Sequence, residues 1–109
     1  MCRQEYMYTA WTQNTISPWI QFHLGTQRVL CNIDIAWHNG SLRSNFFTIA
    51  ISKDGIYFQT VYNGRSTGTT SWFERYSLLG IPANYIQITI NGNTMNNFVG
   101  INEVRINGY

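Results

Sequence analysis

His38 and Arg43 stand on either side of a short loop, Asn39-Gly40-Ser41-Leu42, where a run of alternating apolar residues ends. A neutral imidazole offers one donor and one acceptor, and a guanidinium offers five donors in a planar fork. That fork also matches the two oxygens of a carboxylate. The plain alternative is a solvated strand-end histidine and an arginine that keeps a loop soluble. Trp72 follows the Gly/Ser/Thr-rich stretch 64–71. It reads either as a stacking platform or as a half-buried rim residue. The stretch 91–97 holds Asn91, Asn93, Asn96 and Asn97, whose amides can each bridge two hydroxyls. Asn91 reads as turn chemistry, whereas Asn93 and Asn96 are open as ligand contacts. Phe98 reads as a plug for the end of the domain.

Groups for catalysis are sparse: Asp34, Asp54, Glu5, Glu74, Glu103, His23 and His38 are the acids and imidazoles of the chain. Asp54 is consumed by a turn. Asp34 and His38 share strand parity, but four strand residues span roughly 13 Å, too far for a hydrogen-bonded dyad. Glu74 with Glu103 stays open as a carboxylate pair. Serine-hydrolase, zinc-protease and phosphate-loop motifs are all missing. The chain therefore reads as non-catalytic. Its two cysteines, Cys2 and Cys31, are too few for a structural zinc site. They read as free thiols, with a disulfide as the alternative.

The elements that must position these residues are strands. Only 11% of residues are charged and 16% are aromatic, which argues against a helical bundle. A net charge of +2 without a Lys/Arg cluster argues against nucleic acid as a partner. No apolar run reaches membrane-spanning length, and residues 1–15 lack the apolar core of a signal peptide. A length of 109 residues implies one domain over 1–109.

Phe47, Ile49 and Ile51 alternate with Thr48, Ala50 and Ser52, then Asp54-Gly55 marks a turn, and Tyr57 to Tyr62 returns. That pattern is a β-hairpin. Further strands are expected at 19–24, 29–37, 72–79, 85–90 and 99–106. Trp37 shares parity with Ile33 and Ile35 and reads as core; Trp11 and Trp19 also read as structural. Four Asn-Gly pairs, at 39, 63, 91 and 107, read as turns. Short strands with frequent turns indicate an antiparallel β-sandwich.

Several runs, taken together, resemble one family. They are 19–25 (Trp19 to Gly25), 33–40 (Ile33 to Gly40), Ser52-Lys53-Asp54-Gly55-Ile56-Tyr57-Phe58, Phe73-Glu74-Arg75-Tyr76, 83–88 (Ala83 to Ile88) and Asn102-Glu103-Val104-Arg105-Ile106. In this order they resemble discoidin, or F5/8 type C, domains. They look most like family 32 carbohydrate-binding modules of the type attached to alginate lyases. The resemblance implies an all-β, galactose-binding-domain-like jelly roll. It also implies non-catalytic binding of a polysaccharide, including uronate-containing ones, through loops at one end.

His38, Arg43, Trp72, Asn93 and Asn96 would be the ligand contacts. Glu103 resembles the family's C-terminal calcium-holding glutamate, so a structural calcium is implied, with Glu5 the nearest second carboxylate by sequence order. The alternative within the family is a protein- or membrane-surface adhesion domain. An extracellular or cell-surface setting within a larger secreted protein is implied as well. The chain departs from the family at its N-terminus, where Thr9-Ala10-Trp11-Thr12 stands for the Thr-Arg-Trp-Ser motif. The presence of the first strand is thereby left open, and an unpaired edge would invite self-association.

Overall fold

The computed structural model describes residues 4–14, 19–38, 40–93 and 98–109; for 4–14, 79, 93, 98 and 99 it describes the backbone. Six strands run in the order β1 (Gln4–Asn14), β2 (Trp19–Trp37), β3 (Asn45–Ser52), β4 (Gln59–Arg65), β5 (Phe73–Asn93) and β6 (Phe98–Gly108). Their spatial order is β1-β6-β2-β5-β3-β4, and every pairing is antiparallel.

Two long strands turn this ladder into a sandwich. The β2–β5 pairing has one part with residues 19–23 against 85–89 and another with 28–36 against 73–83, separated by an irregularity. The first part continues into β3 and β4, through 45–52 against 85–93. The second part continues into β6 and β1. Each long strand thus starts in one sheet and finishes in the other. The bends fall at Gly25 and Gly80, whose φ angles of 85° and 70° lie where only glycine is comfortable. Pro82 sits beside the second bend, where a missing backbone donor costs least. Counting each half of β2 and β5 separately gives the eight segments of a jelly roll.

The expected alternation sets the core. Ile33, Ile35 and Trp37 of β2, Phe47, Ile49 and Ile51 of β3, Tyr76 and Leu78 of β5, and Ile86, Ile88 and Ile90 beyond the bend are all buried. From β6 come Ile101, Val104 and Ile106. Burying one such side chain contributes about 1.5–3 kcal/mol, so the register of both sheets is strongly specified. Phe47 lies at the centre of an aromatic group, 4.9 Å from Trp37, 4.8 Å from Tyr76 and 5.5 Å from Tyr62 between ring centroids.

Several sequence expectations are corrected. A strand does precede Trp19: β1, which holds the Thr9-Ala10-Trp11-Thr12 motif, pairs with β6 from Gln4↔Gly108 to Asn14↔Phe98. Trp19 is not structural in the sense of buried; it is 57% exposed, because it shares parity with outward-facing Gln21 and His23. Trp11 falls where only the backbone is described. Three of the four Asn-Gly pairs lie within strands, at β4, β5 and β6. At Gly108 the reason is close approach rather than a turn: a Cβ there would lie 2.5 Å from the Val29 carbonyl oxygen. Cys31 is not a free thiol but disulfide-bonded. The register explains the opportunity: Gln4 pairs with Gly108, and Gly108 pairs with Leu30, so the start of β1 is brought near β2 at Cys31.

The Asp54-Gly55 hairpin is real, but its connection is the six-residue loop 53–58 rather than a two-residue turn. Ser52 Oγ donates to Asp54 Oδ1 at 2.9 Å and accepts from the Gly55 amide at 2.8 Å. Asp54 Oδ1 also accepts from the amides of Ile56 and Tyr57 at 2.8 and 3.0 Å. These bonds, led by the Ile56 amide, hold the Asp54 carboxyl below its ordinary pKa. The ionised loop contact is therefore fully present above the unfolded value, near 3.9, and is lost as pH falls through the lower folded value. In acid titrations of the denaturation midpoint, the wild type should lose more stability across that window than Asp54→Asn. Parallel curves for the two proteins would contradict the assignment.

Candidate functional site

The ladders gather three connections at one end of the sandwich. Ala36 pairs with Phe73, Phe46 with Arg65, and Asn45 with Asn93, so the β2–β3 and β4–β5 loops emerge side by side. Asn93 and Phe98, which flank the β5–β6 connection, belong to the same end, since Asn14 pairs with Phe98 and His38 donates its amide to the Gly100 carbonyl at 3.0 Å.

The two described loops are joined along their length. The Asn45 amide donates to Ser66 Oγ at 2.8 Å, and the Ser66 amide donates to the Asn45 carbonyl at 2.9 Å. Ser71 Oγ donates to Ser41 Oγ at 3.3 Å. Gly40 lies so close to the other loop that a Cβ would sit 2.4 Å from the Thr70 carbonyl oxygen. Glycine is needed there because two backbones touch.

A chain of hydrogen bonds ties this pair of loops to the core. Trp37 is fully buried, and its Nε1–H donates to Tyr76 Oη at 2.9 Å. Tyr76 Oη donates to Glu74 Oε1 at 3.1 Å. Glu74 then accepts from the Thr67 amide at 3.0 Å and, through Oε2, from Thr67 Oγ1 at 3.0 Å. Burial first, and the adjoining Glu74 charge after it, push the Tyr76 phenol well above its ordinary pKa, so it stays a neutral donor at physiological pH.

At the top of this support stands Trp72. It is 71% exposed, and its amide donates to Thr70 Oγ1 at 3.0 Å. Its ring meets Phe73 edge to face at 5.4 Å, and the Arg105 guanidinium covers Phe73 at 3.9 Å from the ring centroid. Trp72 is thus mostly exposed rather than half-buried, with an open aromatic face. Beside it lie the Ser41 and Ser71 hydroxyls, and the half-buried His38 begins the neighbouring loop.

Arg43 differs from expectation. A ligand contact or a loop-solubilising arginine would be exposed, yet Arg43 is 3% exposed. Its backbone lies against the β4–β5 loop: a Cβ on Gly68 would lie 3.5 Å from the Arg43 carbonyl carbon. Burial lowers its pKa from the ordinary arginine value. Asn93 closes β5 opposite Asn45, with its backbone alone described. Asn96 and the side chain of Phe98 lie outside the described residues. Sequence reasoning did not single out the hydroxyls of Ser41 and Ser71 or the Arg105–Phe73–Trp72 stack. Their signal was the Ser/Thr run before Trp72 and the shared outward parity of Phe73 and Arg105.

The F5/8 type C domain pattern matches residues 4–104. The chain belongs to the F5/8 type C domain family. Among solved structures, the CBM32 of AlyQ in complex with 4,5-unsaturated mannuronic acid is 36% identical. Its TM-score is 0.85, with 89% of this chain and 75% of that one covered, which places the chain with the CBM32 modules. A truncated AlyQ with CBM32 and alginate lyase domains is 35% identical at a TM-score of 0.85; the match covers 92% of this chain and 26% of that one. A pectin-binding carbohydrate-binding module is 26% identical at a TM-score of 0.83, covering 89% and 70%. No curated protein matches.

In this F5/8 type C domain the carboxylates do not converge. Glu74 pairs with Ile35 and is bonded at the inner rim, whereas Glu103 pairs with Ala36 and shares outward parity with Arg105. The two therefore face opposite sides of one sheet and form no acid pair. Glu103 lies opposite Thr9, while Glu5 lies opposite Asn107. Four strand residues, roughly 13 Å, separate the two positions. Calcium takes six to eight oxygens, and among the described residues no group of three His, Cys, Asp or Glu comes together. Glu5 and Glu103 therefore stand too far apart along the sheet to share one ion. Asp34, 6% exposed, is held by Arg75 through bonds of 2.8 and 3.0 Å and serves the sheet.

Removing the Tyr76 hydroxyl tests the support. Tyr76→Phe leaves the Trp37 N–H buried without its acceptor and should cost about 1–3 kcal/mol in denaturant unfolding. The amide signals of Thr67 and Trp72 should shift with it. An unchanged stability and unchanged loop signals would show that the chain of bonds does not hold the loop.

Proposed function

We propose that this F5/8 type C domain is a non-catalytic carbohydrate-binding module for uronate-containing polysaccharide, keeping an attached enzyme or cell-surface protein at its substrate. The observation that carries this reading is the exposed Trp72 ring on a loop held both by its neighbour and by the core. A pyranose has apolar C–H faces suited to an indole, and hydroxyls suited to planar donors and acceptors. Trp72 stacks on the sugar. His38, with the Ser41 and Ser71 hydroxyls, bonds its hydroxyls, and Asn93 and Asn96 are proposed as further contacts. Arg43 acts from beneath the loop, as a buried positive charge that favours an anionic sugar. The mannuronic acid bound by the AlyQ CBM32 and the pectin bound by the second module support the substrate class.

A shallow site burying one or two sugar units binds with micromolar to millimolar affinity, roughly. The disulfide at Cys31 supports an oxidising, extracellular setting. β1 and β4 are the strands at the two edges, through which copies would self-associate.

One observation favours surface adhesion as a second reading. Leu42 is 66% exposed at the same end as Trp72, and apolar loop tips suit a membrane interface. Titration with mannuronate and galacturonate oligosaccharides should move the signals of Trp72, His38 and Ser41. Trp72→Ala should weaken binding at least about tenfold, or about 1.4 kcal/mol, with an unchanged thermal midpoint because the ring is exposed. Silence across neutral and acidic glycans, with sedimentation on anionic vesicles, would replace this reading with adhesion.

A further inference from the structure

A concavity lies at the end of the sandwich opposite Trp72. It encloses about 390 Å³ between Ile51, Ser52, Lys53, Asp54, Tyr57, Gln59, Ile81 and Pro82. Ligand sites for small molecules run upward from about 300 Å³. The residues come from the end of β3, the loop 53–58, the start of β4 and the bend of β5. The length of β3, eight residues or roughly 25 Å, separates this end from the Trp72 end.

Its chemistry is divided as an anionic sugar requires. Ile81 and Pro82, both half-buried, present aliphatic surface for a C–H face, with the buried Ile51 behind them. Tyr57 is 81% exposed and offers an aromatic ring that the core does not use. Gln59 carries an amide for hydroxyls. Lys53 forms no salt bridge among the described residues, so its ammonium is available to a carboxylate.

The loop is already held in shape. Asp54 Oδ1 fixes the amides of Ile56 and Tyr57. Gly55 rests on the Tyr85 ring, where a Cβ would lie 2.8 Å from Cζ, and Tyr85 stacks on His23 at 4.3 Å with planes 7° apart. A loop braced in this way presents Tyr57 and Lys53 with little ordering entropy left to lose on binding.

We propose that this concavity is a second saccharide subsite, taking a uronate unit with its carboxylate on Lys53 and its ring on Tyr57. The substrate class rests on the proposed function, but the residues are wholly separate from the Trp72 end. Two such subsites would let one module hold a polymer at two points, raising its avidity for long chains over short ones.

Mannuronate trisaccharide and galacturonate trisaccharide, titrated separately into ¹⁵N-labelled protein, distinguish the two sites. Signals of Lys53, Tyr57 and Gln59 should shift in the wild type and should shift equally in Trp72→Ala. Lys53→Gln and Tyr57→Ala should each weaken that event about tenfold while leaving the Trp72 shifts intact; both side chains are exposed, so neither change threatens the fold. Shifts at Trp72 alone would overturn the second subsite and leave the proposed function standing. Shifts at Lys53 alone would do the reverse for the Trp72 site. Silence at both ends would overturn both.

Discussion

The buried indole of Trp37 is the group on which the rest of the structure turns. An indole N–H sealed in an apolar core costs free energy unless it finds an acceptor. The acceptor is Tyr76 Oη, which faces Trp37 because β2 and β5 pair with Ile33 opposite Tyr76. Satisfying the indole leaves the phenol proton free to go to Glu74, and Glu74 in turn captures Thr67 at the base of the β4–β5 loop. One demand of the core thereby fixes the loop that carries Trp72. The polar chain is fully partnered from the indole to the loop, the condition under which a buried network rigidifies rather than weakens a fold.

The same pairing of β2 with β5 decides how the strands read in the sequence. Alternation located the core faces at Ile33, Ile35 and Trp37 of β2 and at Phe47, Ile49 and Ile51 of β3, because each apolar position at period two reached the interior. It cut β2 and β5 in two, because Gly25, Gly80 and Pro82 carry the signals of a chain reversal. In the structure those residues bend a strand from one sheet to the other. Local backbone preference specifies a departure from extended geometry; whether the chain then reverses or continues depends on the partner strand. β1 stayed open for a related reason: its Tyr, Thr and Trp content suits a strand, but its register exists only against β6.

The candidate site was legible in part. The strand end at His38 and the loop before Trp72 are marked by composition, and both lie at the end where ladder pairings gather them. The burial of Arg43 was not legible, since loop residues are commonly exposed. The two loops around it meet through contacts far apart in sequence, Ser66 with Asn45 and Gly40 with Thr70. The outward parity of Glu103 was readable from Val104 and Ile106. Its distance from Glu5 was not, because it depends on the β1–β6 register.

Both ends of the sandwich follow one design under different constraints. At the Trp72 end, two loops pin each other, and the aromatic ring rises from hydrogen bonds that begin in the core. At the Asp54 end, the loop pins itself through a single carboxylate oxygen and leans on the Tyr85 ring. Rigid strands between them hold the two ends at a fixed separation, so neither depends on the other for its shape. A fold of this kind can change the ligand of one end by altering a few loop residues without disturbing the core. The chemistry of each end must therefore be argued from its own side chains: Trp72 with its hydroxyl neighbours at one, Tyr57 with Lys53 at the other.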